Sequence, residues 1–173
     1  MKLSWLRLPF LWALCAIAAA GWPAKAAAAP PKVAASDLAQ PLPKPYDASA
    51  NATADVDAAL ARAKLSGKRV LLDLGGNWCG DCRFLAGVMD IPAVKSFVDR
   101  NFETVFVDVG HFDKNLDIPA RFGAPKPQGV PTILVLNADG TLVDPAQRED
   151  LADARSMTPQ AVVDWLGRWS KEQ

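Results

Sequence analysis

The segment Trp78-Cys79-Gly80-Asp81-Cys82 constrains this chain more than any other. Two cysteines three positions apart follow a strand-like apolar run and open a helix-like one. A thiol at a helix start faces unpaired backbone N–H groups and the positive end of the helix dipole, which lowers its pKa. The second thiol lies one turn further in, within disulfide reach. This placement predicts thiol–disulfide exchange: Cys79 attacks a substrate disulfide, a mixed disulfide forms, and Cys82 resolves it. The duller alternative is a static structural disulfide, but so small a loop restricts the unfolded chain little.

The chain has 173 residues, half of them hydrophobic, enough for one packed domain with extras. A formal net charge of zero suggests no nucleic-acid partner. Residues 1–26 read as a secretory signal peptide. Lys2 and Arg7 form a positive start, Leu8 to Ala20 is apolar, Pro23 breaks the run, and Ala24-Lys25-Ala26 offers a small-x-small cleavage site. The apolar run falls short of the ~20 residues that span a bilayer. Cys15 lies inside this segment behind Leu14 and Trp12, a poor setting for lipid attachment, so it is expected to be lost with the signal. Cleavage after Ala26 leaves only Cys79 and Cys82. In an oxidising exported compartment, here expected to be the periplasm, such a pair is either structural or redox-active, and the three-residue spacing favours the second.

Residues 27–52 are rich in Ala and Pro without apolar periodicity and predict a disordered or extended linker. The alternative is an arm packed on the domain around Leu38–Tyr46. The domain proper is expected over 53–173. Asp55–Ser66 has helical spacing with Gly67 as a left-handed cap. Arg69–Leu74 reads as a central strand, and a helix from Cys79 runs toward Met89. Further segments are a helix over Ala93–Arg100, a strand over Glu103–Val109, a short helix over Asn115–Phe122 and a strand over Thr132–Leu136. Asn137-Ala138-Asp139-Gly140 is a turn signal with Thr141–Val143 as hairpin partner. Thr158 and Pro159 start a last helix that buries Val162, Trp165, Leu166 and Trp169. The alternation predicts an α/β fold, a central mixed sheet of about four strands with helices on both faces.

These residues together resemble the thioredoxin superfamily. Trp78-Cys79-Gly80-Asp81-Cys82 resembles its Trp-Cys-x-x-Cys site, Val130-Pro131-Thr132 its cis-proline loop before a strand, and Asp73 its buried carboxylate six residues before the first Cys. The stretch after Cys82, with Met89-Asp90-Ile91-Pro92-Ala93-Val94, is similar to the exported thioredoxin-like domains of DsbD-type reductase systems. The likeness covers roughly residues 55–170. Two departures stand out: Asp81 occupies the usual proline position of thioredoxin, and Ala124-Pro125-Lys126-Pro127-Gln128 is an insert before Gly129 on the substrate-facing side.

The resemblance implies that Asp73 shuttles a proton to or from Cys82, that Pro131 holds a cis bond, and that Val130 offers backbone to an incoming peptide. Trp78 is expected as a wall beside the thiols. Gly80 and Asp81 are expected to tune the potential. The Asp81 charge beside the thiolate raises the thiol pKa and makes the pair more reducing, so Asp81→Pro or Asp81→His is expected to raise the potential. His111, the only histidine, reads as incidental.

The expected activity is reduction of disulfides in exported proteins, with a membrane electron donor, no cofactor beyond the Cys79–Cys82 disulfide, no metal, and a monomeric chain. Three alternatives stay open. One is a disulfide oxidase or isomerase of the same fold. Another is a copper carrier using Cys79 and Cys82, since soft thiolates suit Cu(I). The third is a non-catalytic interaction domain on a Pro-rich tether.

Overall fold

The computed structural model describes residues 29–124, 126–143 and 148–170. The expected signal peptide and Cys15 lie outside the described residues. Three strands form the sheet in the order β2-β1-β3, where β1 is Arg69–Gly75, β2 Phe102–Asp108 and β3 Thr132–Leu136. β1 runs parallel to β2, with Asp73 opposite Phe106, and antiparallel to β3, with Asp73 opposite Ile133. β1 is buried from Val70 to Gly75, as a central strand covered on both faces must be.

Among the described residues the sheet has three strands, against the expected about four. The expected hairpin over Thr141–Val143 is reduced to one bridge, Leu136 to Leu142, with Val143 N–H donating to the Val135 carbonyl. Asn137-Ala138-Asp139-Gly140 does turn the chain, and Asp139 caps Thr141.

Helix α1 (Ala52–Ser66) starts three residues before the expected position because Asn51 caps it, accepting from Ala54 N–H at 3.1 Å. Its buried face of Val56, Ala59, Leu60 and Ala63 packs on Val70, Leu72, Leu74, Val105 and Leu134. Helices α2 (Gly80–Asp90) and α3 (Pro92–Asn101) cover the opposite face of the sheet. The chain breaks between the two helices at Ile91, and Pro92 is the first residue of α3. Helix α4 is Asp117–Arg121, and α5 is Pro159–Arg168, capped by Thr158, which accepts from Ala161 N–H. On the second face Leu71, Ile133 and Val135 meet Leu85, Val88, Val94, Phe97, Val162, Trp165 and Leu166. Each such fully buried side chain stabilises the fold by roughly 1.5–3 kcal/mol. Trp165 is buried, and Trp169 is half-buried beside it with ring centroids 5.9 Å apart.

Residues 29–51 overturn the linker expectation. From residue 29 the chain lies along the domain as a strap, irregular except for a short 3-10 turn at Ala35–Asp37. Val33 and Leu38 join the second core face, and Val33 N–H donates to Gln160 Oε1. Arg83 on α2 donates to the carbonyls of Leu42 (2.6 Å) and Pro43 (3.0 Å). Asn77 accepts from Tyr46 N–H and donates to the Tyr46 carbonyl at 2.6 Å. Tyr46 itself is 3% exposed. The strap is thus fastened to the loop and the helix that carry the two cysteines.

Candidate active site

Cys79 is the N-cap of α2, with extended backbone, and Cys82 lies in its first turn. The Cys82 N–H points at Cys79 Sγ, 3.0 Å away. That geometry favours negative charge on the sulfur, as the helix dipole does. The two cysteines form a disulfide with Cα atoms 5.3 Å apart. Cys82 is fully buried and Cys79 is 5% exposed, so Cys79 is the sulfur nearer the surface.

The Val130–Pro131 peptide bond is cis. It places the Val130 carbonyl 3.5 Å from Cys79 Sγ. In the disulfide this is a contact without a proton; in the dithiol the Cys79 S–H can donate to it. Thr132 fixes the loop by donating to the Gly129 carbonyl at 2.7 Å. The insert before it is tied back through Gln128 N–H to Glu149 Oε1.

Trp78 stands beside the disulfide, half exposed at 49%. Its indole N–H donates to the Gly110 carbonyl at 2.7 Å. His111 stacks on the ring with centroids 4.8 Å apart and planes 17° from parallel, and Phe112 meets its edge. His111 is therefore part of an exposed aromatic wall and not an isolated loop residue. Gly76 makes the wall possible, since a Cβ there would stand 2.6 Å from the indole nitrogen.

Asp73 is completely buried in β1. The Tyr46 hydroxyl donates to its Oδ1 at 2.8 Å, while Oδ2 has no hydrogen-bond partner among the described residues. Burial pushes the Asp73 carboxyl up to about 7, and the Tyr46 bond only partly opposes that. Burial and the neighbouring Asp73 likewise push the Tyr46 phenol far above its ordinary value. Gly75 opens the space between the Tyr46 hydroxyl and the Cys82 sulfur. A Cβ at that position would stand 2.5 Å from Tyr46 Oη and 2.8 Å from Cys82 Sγ.

Asp81 has a partner that the sequence does not show. It accepts from the Arg155 backbone N–H at 2.9 Å and from the Arg155 guanidinium at 3.1 Å. Burial pushes the Asp81 carboxyl up, but the bonds and charge of Arg155 outweigh it and hold the group below its ordinary range. The guanidinium also lies against Gly80, where a Cβ would stand 2.8 Å from Nη1. The thiols therefore lie beside an ion pair. Spacing along the chain gave no sign of Arg155, Tyr46, Gly75 or Gly76, because each acts by a contact between distant segments. Among the described residues no group of three or more His, Cys, Asp or Glu is arranged to hold a metal ion.

Comparison with known proteins agrees with this geometry. The family described as thioredoxin-like matches residues 51–138, about half of the chain. An H-type thioredoxin of Oryza sativa subsp. indica is 28% identical over 99 residues, covering 56% of this chain and 74% of the relative. A thioredoxin of Pseudomonas aeruginosa is 30% identical over 87 residues, covering 48% of this chain and 72% of the relative. The crystal structure of a disulphide isomerase from Xylella fastidiosa Temecula1 superposes with a TM-score of 0.69 at 37% identity, over 73% of this chain and 97% of that one. A Cys-x-x-Cys disulfide at a helix start, a cis-proline beside it and these relatives lead to one conclusion: the chain belongs to the thioredoxin-like family and is a thiol–disulfide oxidoreductase.

Proposed function

We propose that this protein is an exported reductant of protein disulfides. The observation that carries the chemistry is the pair itself: Cys79 at the α2 N-cap, with Cys82 buried one turn behind it. Reduced Cys79 attacks a substrate disulfide as thiolate, forming a mixed disulfide and releasing one substrate thiolate. Cys82 then gives up its proton to Asp73 and attacks Cys79 Sγ. The Cys79–Cys82 bond forms, the bond to substrate breaks, and the second substrate sulfur leaves with the electron pair. A carboxyl whose pKa lies about 7 suits that proton transfer at neutral pH. The Val130 backbone and the Trp78 ring flank the sulfur, positions that suit holding an extended peptide.

Export is supported by Lys2, Arg7, the apolar run to Ala20 and the Ala24-Lys25-Ala26 site. In that compartment the pair needs a membrane-borne dithiol donor to be re-reduced, because an oxidising milieu does not supply one. Gly80 and the Asp81–Arg155 pair would tune the potential.

A second reading, disulfide isomerisation, is favoured by the name of the Xylella fastidiosa neighbour and by Arg155, whose charge offsets that of Asp81. The test of the reductant reading is turnover of a disulfide-bonded protein such as insulin by the mature chain with dithiothreitol as donor. Cys79→Ser should abolish it, and Cys82→Ser should trap the mixed disulfide. Turnover that survives Cys79→Ser would refute the assignment.

A further inference from the structure

We infer that Tyr46 is a positioning residue of the redox site, delivered by the N-terminal strap: its hydroxyl fixes one oxygen of Asp73 so that the other is left to take the proton of Cys82. This rests on the oxidoreductase reading above and adds a residue that lies outside the segment matched by the family, which begins at residue 51.

Three sets of contacts support it. First, the strap is held at Tyr46 and in the residues just before it by the loop and helix that carry the cysteines. Asn77, two residues before Cys79, brackets the Tyr46 backbone with two hydrogen bonds. Arg83, the residue after Cys82, grips the carbonyls of Leu42 and Pro43. Gly87, further along α2, is in close contact with Leu38 and Leu42, leaving no room for a Cβ. Second, the Tyr46 ring is wedged edge-on against Phe106, with centroids 5.6 Å apart, which sets the direction of the hydroxyl. Third, the hydroxyl meets Asp73 Oδ1 at 2.8 Å, and it shares with Cys82 Sγ the space that Gly75 leaves open.

The consequence follows from lone pairs. A buried carboxylate with no fixed donor can rotate or share its charge over both oxygens. With Oδ1 occupied by the phenol, the proton-accepting role falls to Oδ2, which has no partner among the described residues. The titratable group in contact with Asp73 is the Tyr46 phenol from the strap; Cys82 from α2 lies across the Gly75 gap from that phenol, and Asp108 at the end of β2 bears on Tyr46 by its charge. β3 faces Asp73 with Ile133, which does not titrate.

The step that Tyr46 serves is balanced. The Cys82 S–H proton passes to Asp73, and Cys82 attacks Cys79. The Cys79–Cys82 bond replaces the Cys79–substrate bond, and the substrate sulfur leaves as thiolate. Tyr46 itself exchanges no proton or electron.

The test is the pH profile of single-turnover disulfide reduction by the dithiol form of the full protein, comparing the wild type with Tyr46→Phe. Phenylalanine keeps the ring against Phe106 and removes only the donor. A hydrogen bond to a charged group lost here should move the rising limb, set by Asp73, about one to two pH units upward. In an Asp73→Asn background the same change should move nothing further. An unshifted limb, or an equal effect in the Asp73→Asn background, overturns the inference and leaves the oxidoreductase reading intact. A wild type that reduces nothing overturns that reading and this inference with it. A second measurement does not depend on the variant folding. Tyr46 is the only tyrosine, so incorporated fluorotyrosine reports on it alone. Its fluorine resonance should titrate with the midpoint of the Asp73 limb; a flat signal overturns the inference.

Discussion

The buried carboxylate makes a prediction about stability with a definite sign. Asp73 has a pKa of about 7 in the folded protein against an ordinary 3.8. Below about pH 3 it is protonated in both states and imposes no penalty. Between the two values the unfolded chain releases the proton and the native one keeps it, so stability falls as pH rises. Above the native pKa the charge is forced into the core and the loss is complete. Three units at 1.36 kcal/mol each give a penalty of about 4 kcal/mol. Asp73→Asn removes it while leaving an amide oxygen for the Tyr46 hydroxyl. The amide N–H of Asn would take the place of Oδ2, which has no partner among the described residues, at a cost of about 1–3 kcal/mol that is independent of pH. The variant should therefore be less stable than the wild type near pH 4 and more stable at about pH 8. The difference should grow by about 4 kcal/mol across that range, or about 2 M in urea midpoint at an ordinary slope. Urea unfolding of the disulfide form at a series of pH values measures it. All other carboxylates cancel between the two proteins. A difference that stays flat, or that shrinks as pH rises, would refute the assignment of a raised pKa to Asp73.

Three further outcomes are expected. Gly75→Ala places a methyl group against Tyr46 Oη and Cys82 Sγ and should destabilise the fold by about 1–3 kcal/mol; an unchanged melting temperature would contradict that close approach. Arg155→Gln leaves the Asp81 carboxylate without its cationic partner beside the thiols, so the Cys79 pKa should rise and the potential should fall by the order of 10 mV; a rise would reverse the reading of that ion pair. Trp78→Ala removes the wall on which His111 stacks, and should raise KM for a protein substrate while leaving the potential in place, as steady-state kinetics and glutathione equilibration would show.

What was legible in the sequence was what depends on neighbours in the chain. The Arg69–Leu74 run could only be a covered strand, the Cys79–Met89 segment follows helical spacing, and Thr158-Pro159 is a start signal that needs no tertiary partner. Cys79, Cys82, Asp73 and Pro131 could be located because their spacing along β1, α2 and the loop before β3 is fixed by the fold. The strap was misread because its anchors, Val33, Leu38 and Tyr46, follow neither a helical nor a strand period. An irregular segment held by single side chains has the same composition as a loose one. The partner of Asp81 was not legible for a related reason: Arg155 is 74 positions away, and no local pattern joins them. The hairpin return over Thr141–Val143 was legible from its turn signal, but such a signal specifies reversal of the chain and not whether a full strand follows.

The most direct test of the central claim is the reduction potential of the Cys79–Cys82 pair in the mature protein, by equilibration with glutathione or dithiothreitol. A reductant of exported disulfides should lie near the thioredoxin end, about −270 mV. A value of about −120 to −180 mV would contradict the proposed direction and make the protein an oxidase or isomerase.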